Sequence, residues 1–273
     1  MNYTLPYIPE RPKKPRSEGL TMMMDKGLSV RQVESFIESS GEFTDLVKFG
    51  FGTSIIASRL KEKIKLYKEA NIRPYFGGTL FEIFAIRDMF DEFRKYLDDF
   101  GMEIAEVSDG SMYMPHDKKL EYIRKLSDQV TVISEVGSKQ RGIFIPADQW
   151  VEMMKSELEA GSFKVIAEAR ESGTIGIYNS DGTANESLIN SITSQLNRED
   201  ILWEAPIGKQ QVWFIKLFGS NVNLGNIATD GVIPLECLRL GLRGDTFFDY
   251  LPDKYKGQKP HTEDYITYID FQI

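Results

Sequence analysis

The sequence predicts an α/β protein, a single (β/α)8 TIM-type barrel. Three observations carry this. Short apolar, strand-like runs alternate eight times with amphipathic helical patterns, at roughly 25–35-residue spacing. The length, 273 residues, is close to the about 250 typical of that architecture. Several runs end in a carboxylate, a lysine or a glycine, as strands do when chemistry sits at the carboxyl ends of a buried parallel sheet. A doubly wound open sheet is the competing architecture. It usually needs fewer strands, and no GxGxxG follows the first strand.

Residues 1–18 read as an extended N-terminal arm, with Pro6, Pro9, Pro12 and Pro15 and a basic segment at Lys13, Lys14 and Arg16. It is either a solvated tail or an arm that closes one end of a domain and brings Arg16 to an anion. The barrel is expected over 19–248. Gly19–Asp25 is the first strand, and Ser29 N-caps a helix over 30–39. Leu46–Ser54 is the second strand, with Lys48 inside it and a helix over 58–70 following. Arg73–Thr79 is the third, with Glu82 just beyond and a helix over 83–100. Strand four is Ile104–Gly110 with a helix over 118–128, and strand five is Val130–Val136 with a helix over 147–160. Strand six opens the stretch 164–179, KVIAEARESGTIGIYN. A helix over 185–196, strand seven at 201–206 and a helix over 209–218 follow. Strand eight, at 222–227, and a helix over 234–241 complete the set. Residues 249–273 are a polar C-terminal tail without periodicity.

The 164–179 stretch shows the pattern most clearly. Val165-Ile166-Ala167 is apolar, and the chain then puts out Glu168, Arg170 and Glu171 before Gly173 and Gly176 turn it. Glu168 and Arg170 are two apart, so on an extended strand they point to one side. Alone, such a stretch is better explained by an internal ion pair or a solvated loop; its recurrence along the chain changes the balance.

Composition narrows the function. A net charge of −8 argues against non-specific nucleic-acid binding. One cysteine, Cys237, excludes an internal disulfide and a Cys-based metal site. There is no transmembrane run and no secretory signal, so a cytoplasmic protein is expected, and a homo-oligomer, as barrels often are. His116 and His261 sit in loop and tail positions, which disfavours a zinc site or a Ser-His-Asp triad.

In a barrel all strand ends meet at one mouth. Glu106, Glu135, Glu168 and Glu204 come from four successive strands, so several carboxylates would surround one point. They would repel unless they held a cation, and oxygen-only ligands suit Mg2+. Internal Glu–Lys and Glu–Arg pairs are the alternative. Asp25 and Asp109 stand at strand ends too. Lys48 and Lys139 are the candidate proton carriers; Schiff-base nucleophile or structural ion pair are their other roles. Barrels hold phosphate on the loops after strands seven and eight, which here points to Asn223, Gly225 and Asn226 with Arg239 and Arg243 nearby. Residues 243–246 could instead cap a helix.

The segments VKFGFGTS (47–54), GGTLFE (77–82), EVSDGSM (106–112), SEVGSK (134–139), EARESGTIGIYN (168–179), LWEAP (202–206), QQVWFIKLFG (210–219), NVNLGNI (221–227) and ECLRLGLRGDTF (236–247), with KPRSEGLTMMMDKGL (14–28), resemble the phosphosulfolactate synthase family. The resemblance runs from about residue 11 to 248. It implies a (β/α)8 barrel that adds sulfite to phosphoenolpyruvate with Mg2+, giving (2R)-O-phospho-3-sulfolactate, the start of sulfolactate and coenzyme M biosynthesis in members that make them. It implies Lys139 as the acid that protonates C2, Lys48 and Arg170 on substrate anions, and Glu106, Glu135 and Glu168 around the metal. Relatives include plant heat-stress-associated proteins, so a barrel without synthase activity is the second reading. A lyase or aldolase on another phosphorylated acid is the third.

Overall fold

The computed structural model describes residues 2–140 and 142–259. Eight parallel strands close a barrel in the order of the chain. They are β1 (Thr21–Asp25), β2 (Leu46–Phe49), β3 (Arg73–Phe76), β4 (Ile104–Val107), β5 (Thr131–Val136), β6 (Ser162–Ala167), β7 (Ile201–Glu204) and β8 (Leu224–Ile227). The helices are α1 (Val30–Ser40), α2 (Thr53–Ile56), α3 (Leu60–Glu69), α4 (Gly78–Ala85), α5 (Phe90–Asp99), α6 (His116–Ser127), α7 (Ala147–Glu159), α8 (Glu186–Thr193), α9 (Gly208–Phe218) and α10 (Val232–Arg239). Two short turns of helix follow, α11 (Phe247–Tyr250) and α12 (Asp253–Lys256). The predicted single helix over 83–100 is two helices, α4 and α5, broken at Asp88, whose φ is +55°. Of the expected tail, 249–259 includes α12; 260–273, with His261, lie outside the described residues. No helix among the described residues is long and apolar enough to cross a membrane.

Strand alternation explains where side chains go. Leu46, Ile104, Ile133, Ile166 and Leu202 face inward and fill the barrel with Leu20, Met22, Met24 and Tyr75. The outward residues, such as Val47, Ala105, Val132, Val165 and Trp203, join the larger core beneath the helices. Two residues after each of those five inward apolar residues comes Lys48, Glu106, Glu135, Glu168 or Glu204, so the next inward layer is charged. The same parity sends Asp25 outward, because Met24 is inward. Asp25 meets Lys63 Nζ (2.7 Å) and the Tyr67 hydroxyl (3.0 Å), and accepts from the N–H groups of Gly27 and Leu28. Asp109 likewise turns to Lys119 (2.8 Å). Neither carboxylate belongs to the mouth, contrary to the expectation from strand ends.

The arm carries no regular element and packs on the opposite, N-terminal end of the barrel, the floor. Arg11 binds Glu236 (3.0 Å), and Lys14 donates to carbonyls of Gly41, Thr44 and Ala70. Arg16 does reach an anion, but an internal one, Asp45, at 3.0 Å.

Candidate active site at the mouth

The charged layer lines a cavity of about 380 Å³ at the C-terminal end. Lys48 stands at its base with its ammonium 2.8 Å from Glu106, 3.2 Å from Glu135 and 3.5 Å from Glu204. Burial alone would draw its pKa down, but the three glutamates outweigh this and hold it above the usual lysine value. Lys139 lies above, 2.6 Å from Glu135 and 3.9 Å from Glu168. Burial again opposes, and those two carboxylates again win, so it stays an ammonium. Its stem rests on Gly110, where a Cβ would come within 3.2 Å of it.

Six ionisable groups therefore share this layer, four carboxyl groups against two ammonium groups. The carboxylates respond unequally. Glu135, between both lysines, is held well below the usual carboxylate range despite its burial. Glu168 is raised well above it by burial and by Glu135 and Glu204. Glu204 is pushed up to about 7, by burial against the pull of Lys48. Glu106 is raised by burial, with Lys48 opposing. One oxygen of Glu168 is buried without a hydrogen-bond partner.

These groups fit a hard divalent cation. Carboxylate oxygens of Glu135, Glu168 and Glu204 lie within 4.8 Å of one another. The trio differs from the expected Glu106, Glu135 and Glu168. Glu106 is turned away, accepting from Gly78 N–H (2.6 Å) and binding Lys48. Glu204 takes its place, because β7 sits beside β6.

The loop after β6 is fastened over the cavity. Ala169 N–H donates to Glu204 (2.9 Å), and Asn226 Nδ2 donates to Ala169 O (3.0 Å). Tyr178 donates to Glu204 O (2.7 Å), and Gln210 Nε2 donates to the carbonyls of Gly173 and Gly182. Gly173 has φ +63°, and a Cβ there would lie 2.5 Å from the Gln210 amide. At Gly176 a Cβ would collide with the Glu168 carbonyl. Arg170 is exposed on the rim and lines the cavity; beside it Glu171 pairs with Lys26 (2.8 Å) across the mouth. Asn226, next to last in β8, has φ +58°, and its Oδ1 is buried without a hydrogen-bond partner. Gln210 and Tyr178 escape sequence reasoning, since an apolar helix pattern and a turn give no sign of loop anchors.

Three expected site residues lie at the other end. Asn223 enters β8 rather than leaving it; its amide donates to Glu199 O and Ile201 O and accepts from Leu20 N–H. Arg239 closes α10, which runs from mouth to floor. Its guanidinium donates to the carbonyls of Ser220 (2.6 Å), Val222 (2.7 Å) and Leu20 (3.1 Å). Arg243 follows α10 and pairs with Asp245 at the surface (3.2 Å). The floor thus takes three residues expected at a phosphate site.

Comparison with known proteins agrees with this architecture. Residues 9–245 match the profile of the family described as (2R)-phospho-3-sulfolactate synthase (ComA). The chain is 41% identical over 244 residues to a phosphosulfolactate synthase of Bacillus subtilis, covering 88% of this chain and 97% of that protein. It is 25% identical over 261 residues to the Arabidopsis thaliana protein HEAT-STRESS-ASSOCIATED 32, covering 84% of this chain and 88% of that one. Among solved structures, 3-hexulose-6-phosphate synthase from Salmonella typhimurium superposes with a TM-score of 0.51 at 13% identity, covering 80% of this chain and 96% of that one, a likeness of fold. With this match across the barrel, the chain belongs to the phosphosulfolactate synthase family.

Proposed function

We propose that this protein is a phosphosulfolactate synthase, adding sulfite to phosphoenolpyruvate to give (2R)-O-phospho-3-sulfolactate. The observation that carries it is the charged layer, where a protonated Lys139 stands beside a trio of carboxylates suited to Mg2+. The sulfur lone pair attacks C3 of the enol phosphate. The C2–C3 π pair moves to C2 and into the adjoining carboxylate, and a proton then adds to C2.

Glu135, Glu168 and Glu204 would hold Mg2+, which when bound supplies positive charge beside the substrate carboxylate as negative charge grows there. Lys139 carries the proton for C2. Glu135 fixes its direction, and with it the face protonated. Lys48 counters charge at the base of the cavity, and Arg170 on the rim is placed for a substrate anion. A Schiff-base role for Lys139 is disfavoured, because its amine is held protonated by Glu135 and Glu168. The intact lysines and glutamates argue likewise against a barrel without catalysis. The reading includes a cytoplasmic protein that acts on small molecules. Ile56, the last residue of α2, and Tyr113, on the loop after β4, are 85% and 89% exposed at the mouth end and support the homo-oligomer expected of it.

Mass spectrometry of a mixture of protein, sulfite, phosphoenolpyruvate and Mg2+ tests this. The sulfonated product is expected; its absence with folded, Mg2+-loaded protein refutes the reading.

A further inference from the structure

The floor carries a second cavity, of about 230 Å³, between the arm and the start of β3. Its wall holds four cations, Lys14, Arg16, Lys68 and Arg73, against two carboxylates, Asp45 and Glu103. This is a local excess of positive charge in a chain of net charge −8. Three of the cations are engaged. Lys14 donates to three carbonyls, Arg16 holds Asp45, and Lys68 holds Gly101 O and Glu103, both at 2.6 Å. The Arg73 guanidinium has no hydrogen-bond or ion-pair partner among the described residues.

Arg73 stands two residues before the inward Tyr75, and also lines the small space beneath the apolar barrel layer. Lys164, two before Ile166, lines that space too, with its ammonium on Glu199 O (2.7 Å). The floor layer is thus cationic where the mouth layer is anionic. Lys14 shows the surplus: its pKa falls to about 8, through burial first, with Arg16 and Arg73 adding to the fall and Asp45 opposing.

From this geometry we infer that the floor cavity is a second anion site, taking a small phosphate group on the free guanidinium of Arg73 with Lys68 at its edge. A guanidinium fork in a concave, positive pocket matches two phosphate oxygens at once. The walls come from the arm (Lys14 to Arg16), the start of β3 and Glu103 before β4. A bound phosphate therefore ties the arm to the barrel. The site lies at the opposite end from the glutamate trio and does not depend on the reaction proposed there.

Isothermal titration and thermal melting test it, with inorganic phosphate, phosphoenolpyruvate, or chloride at matched ionic strength. An Arg170→Ala background, kept free of Mg2+, removes the rim cation placed for a substrate anion at the mouth. Phosphate is expected to bind this background and raise its melting point above the chloride control, while adding Arg73→Gln weakens binding about tenfold or more. Adding Arg73→Lys, which keeps the charge, retains part of the affinity. Equal binding of phosphoenolpyruvate marks phosphate esters as ligands; binding of phosphate alone marks the free ion. Unchanged affinity in Arg73→Gln overturns the proposal. Should Arg73→Gln not fold, Lys68→Gln at the cavity edge replaces it, and unchanged affinity there overturns the proposal equally.

Discussion

Arg239 at the floor and Glu168 at the mouth are both almost fully buried, at 0% and 1% exposure, yet they are held in different ways. The guanidinium of Arg239 donates to three backbone carbonyls, and only its Nε, 4.0 Å from Glu236, lacks a hydrogen bond. Glu168 keeps one oxygen without a hydrogen bond, its nearest cation Lys139 at 3.9 Å, and it faces two other carboxyl groups, Glu135 and Glu204. The same contrast runs through their neighbours. At the floor Arg11, Lys14 and Arg16 each meet a carboxylate or a set of carbonyls. At the mouth four carboxylates share two lysines. A buried charge with its partners in place holds the fold together. A buried charge short of partners costs stability and persists where a ligand completes it.

The comparison can be broken most forcefully at the floor. Arg239→Leu leaves carbonyls of Ser220 and Val222 without their donor, and should cost roughly 3 kcal/mol or more in urea unfolding. The kcat of the folded variant should stay near wild type. A loss below about 1 kcal/mol would put the floor charges on a par with ordinary surface pairs.

Next in size is a pH effect at the mouth. Glu204 has its pKa raised from 4.5 to about 7 by burial, against Lys48. A carboxyl raised on folding binds its proton more tightly in the native state. Its contribution to stability is therefore full below about pH 4.5 and is lost as pH rises through about 7, by roughly 3 kcal/mol at most. Without divalent cation, Glu204→Gln should flatten that part of the stability profile. An unchanged slope would show that Glu204 ionises freely.

A smaller effect sharpens the contrast. Glu168, raised well above the carboxylate range, must take up a proton on folding without a cation, and Glu168→Gln avoids that cost, so the cation-free protein should gain about 1–2 kcal/mol at neutral pH. Mg2+ should then raise the melting temperature of wild type but hardly that of the variant. A destabilised Glu168→Gln would mean that the carboxylate is already satisfied. Smallest is Asn226→Ala, which places a Cβ-bearing residue without local hydrogen bonds at φ +58° and frees Ala169 O. About 1 kcal/mol is expected. Asn226→Gly should recover the backbone part of the loss, while a kcat reduction from the loosened loop remains.

The barrel was legible because alternation and length speak directly to it. Lys48, Glu106, Glu135, Glu168 and Glu204 converge because each follows an inward apolar residue by two, a signal present in the sequence. The same rule would have turned Asp25 outward, since Met24 takes the inward place. Asn223, Arg239 and Arg243 were misplaced because nearness in sequence to strand eight says nothing about which end of the barrel a residue reaches. Asn223 precedes its strand, and α10 carries Arg239 back to the floor. Glu204 in place of Glu106 was hidden, because Gly78 N–H draws Glu106 aside, a contact between two distant segments. Gln210 and Tyr178 depend on the path of a loop that no periodicity describes.

Single-turnover kinetics of Lys139→Ala beside wild type, with sulfite and phosphoenolpyruvate and with or without Mg2+, test the mouth most directly. Mg2+-dependent product from wild type is expected, with a loss of about 10²–10⁴-fold in the variant while phosphoenolpyruvate still binds. Product formed by Lys139→Ala at the wild-type rate would contradict the assignment of the proton to Lys139.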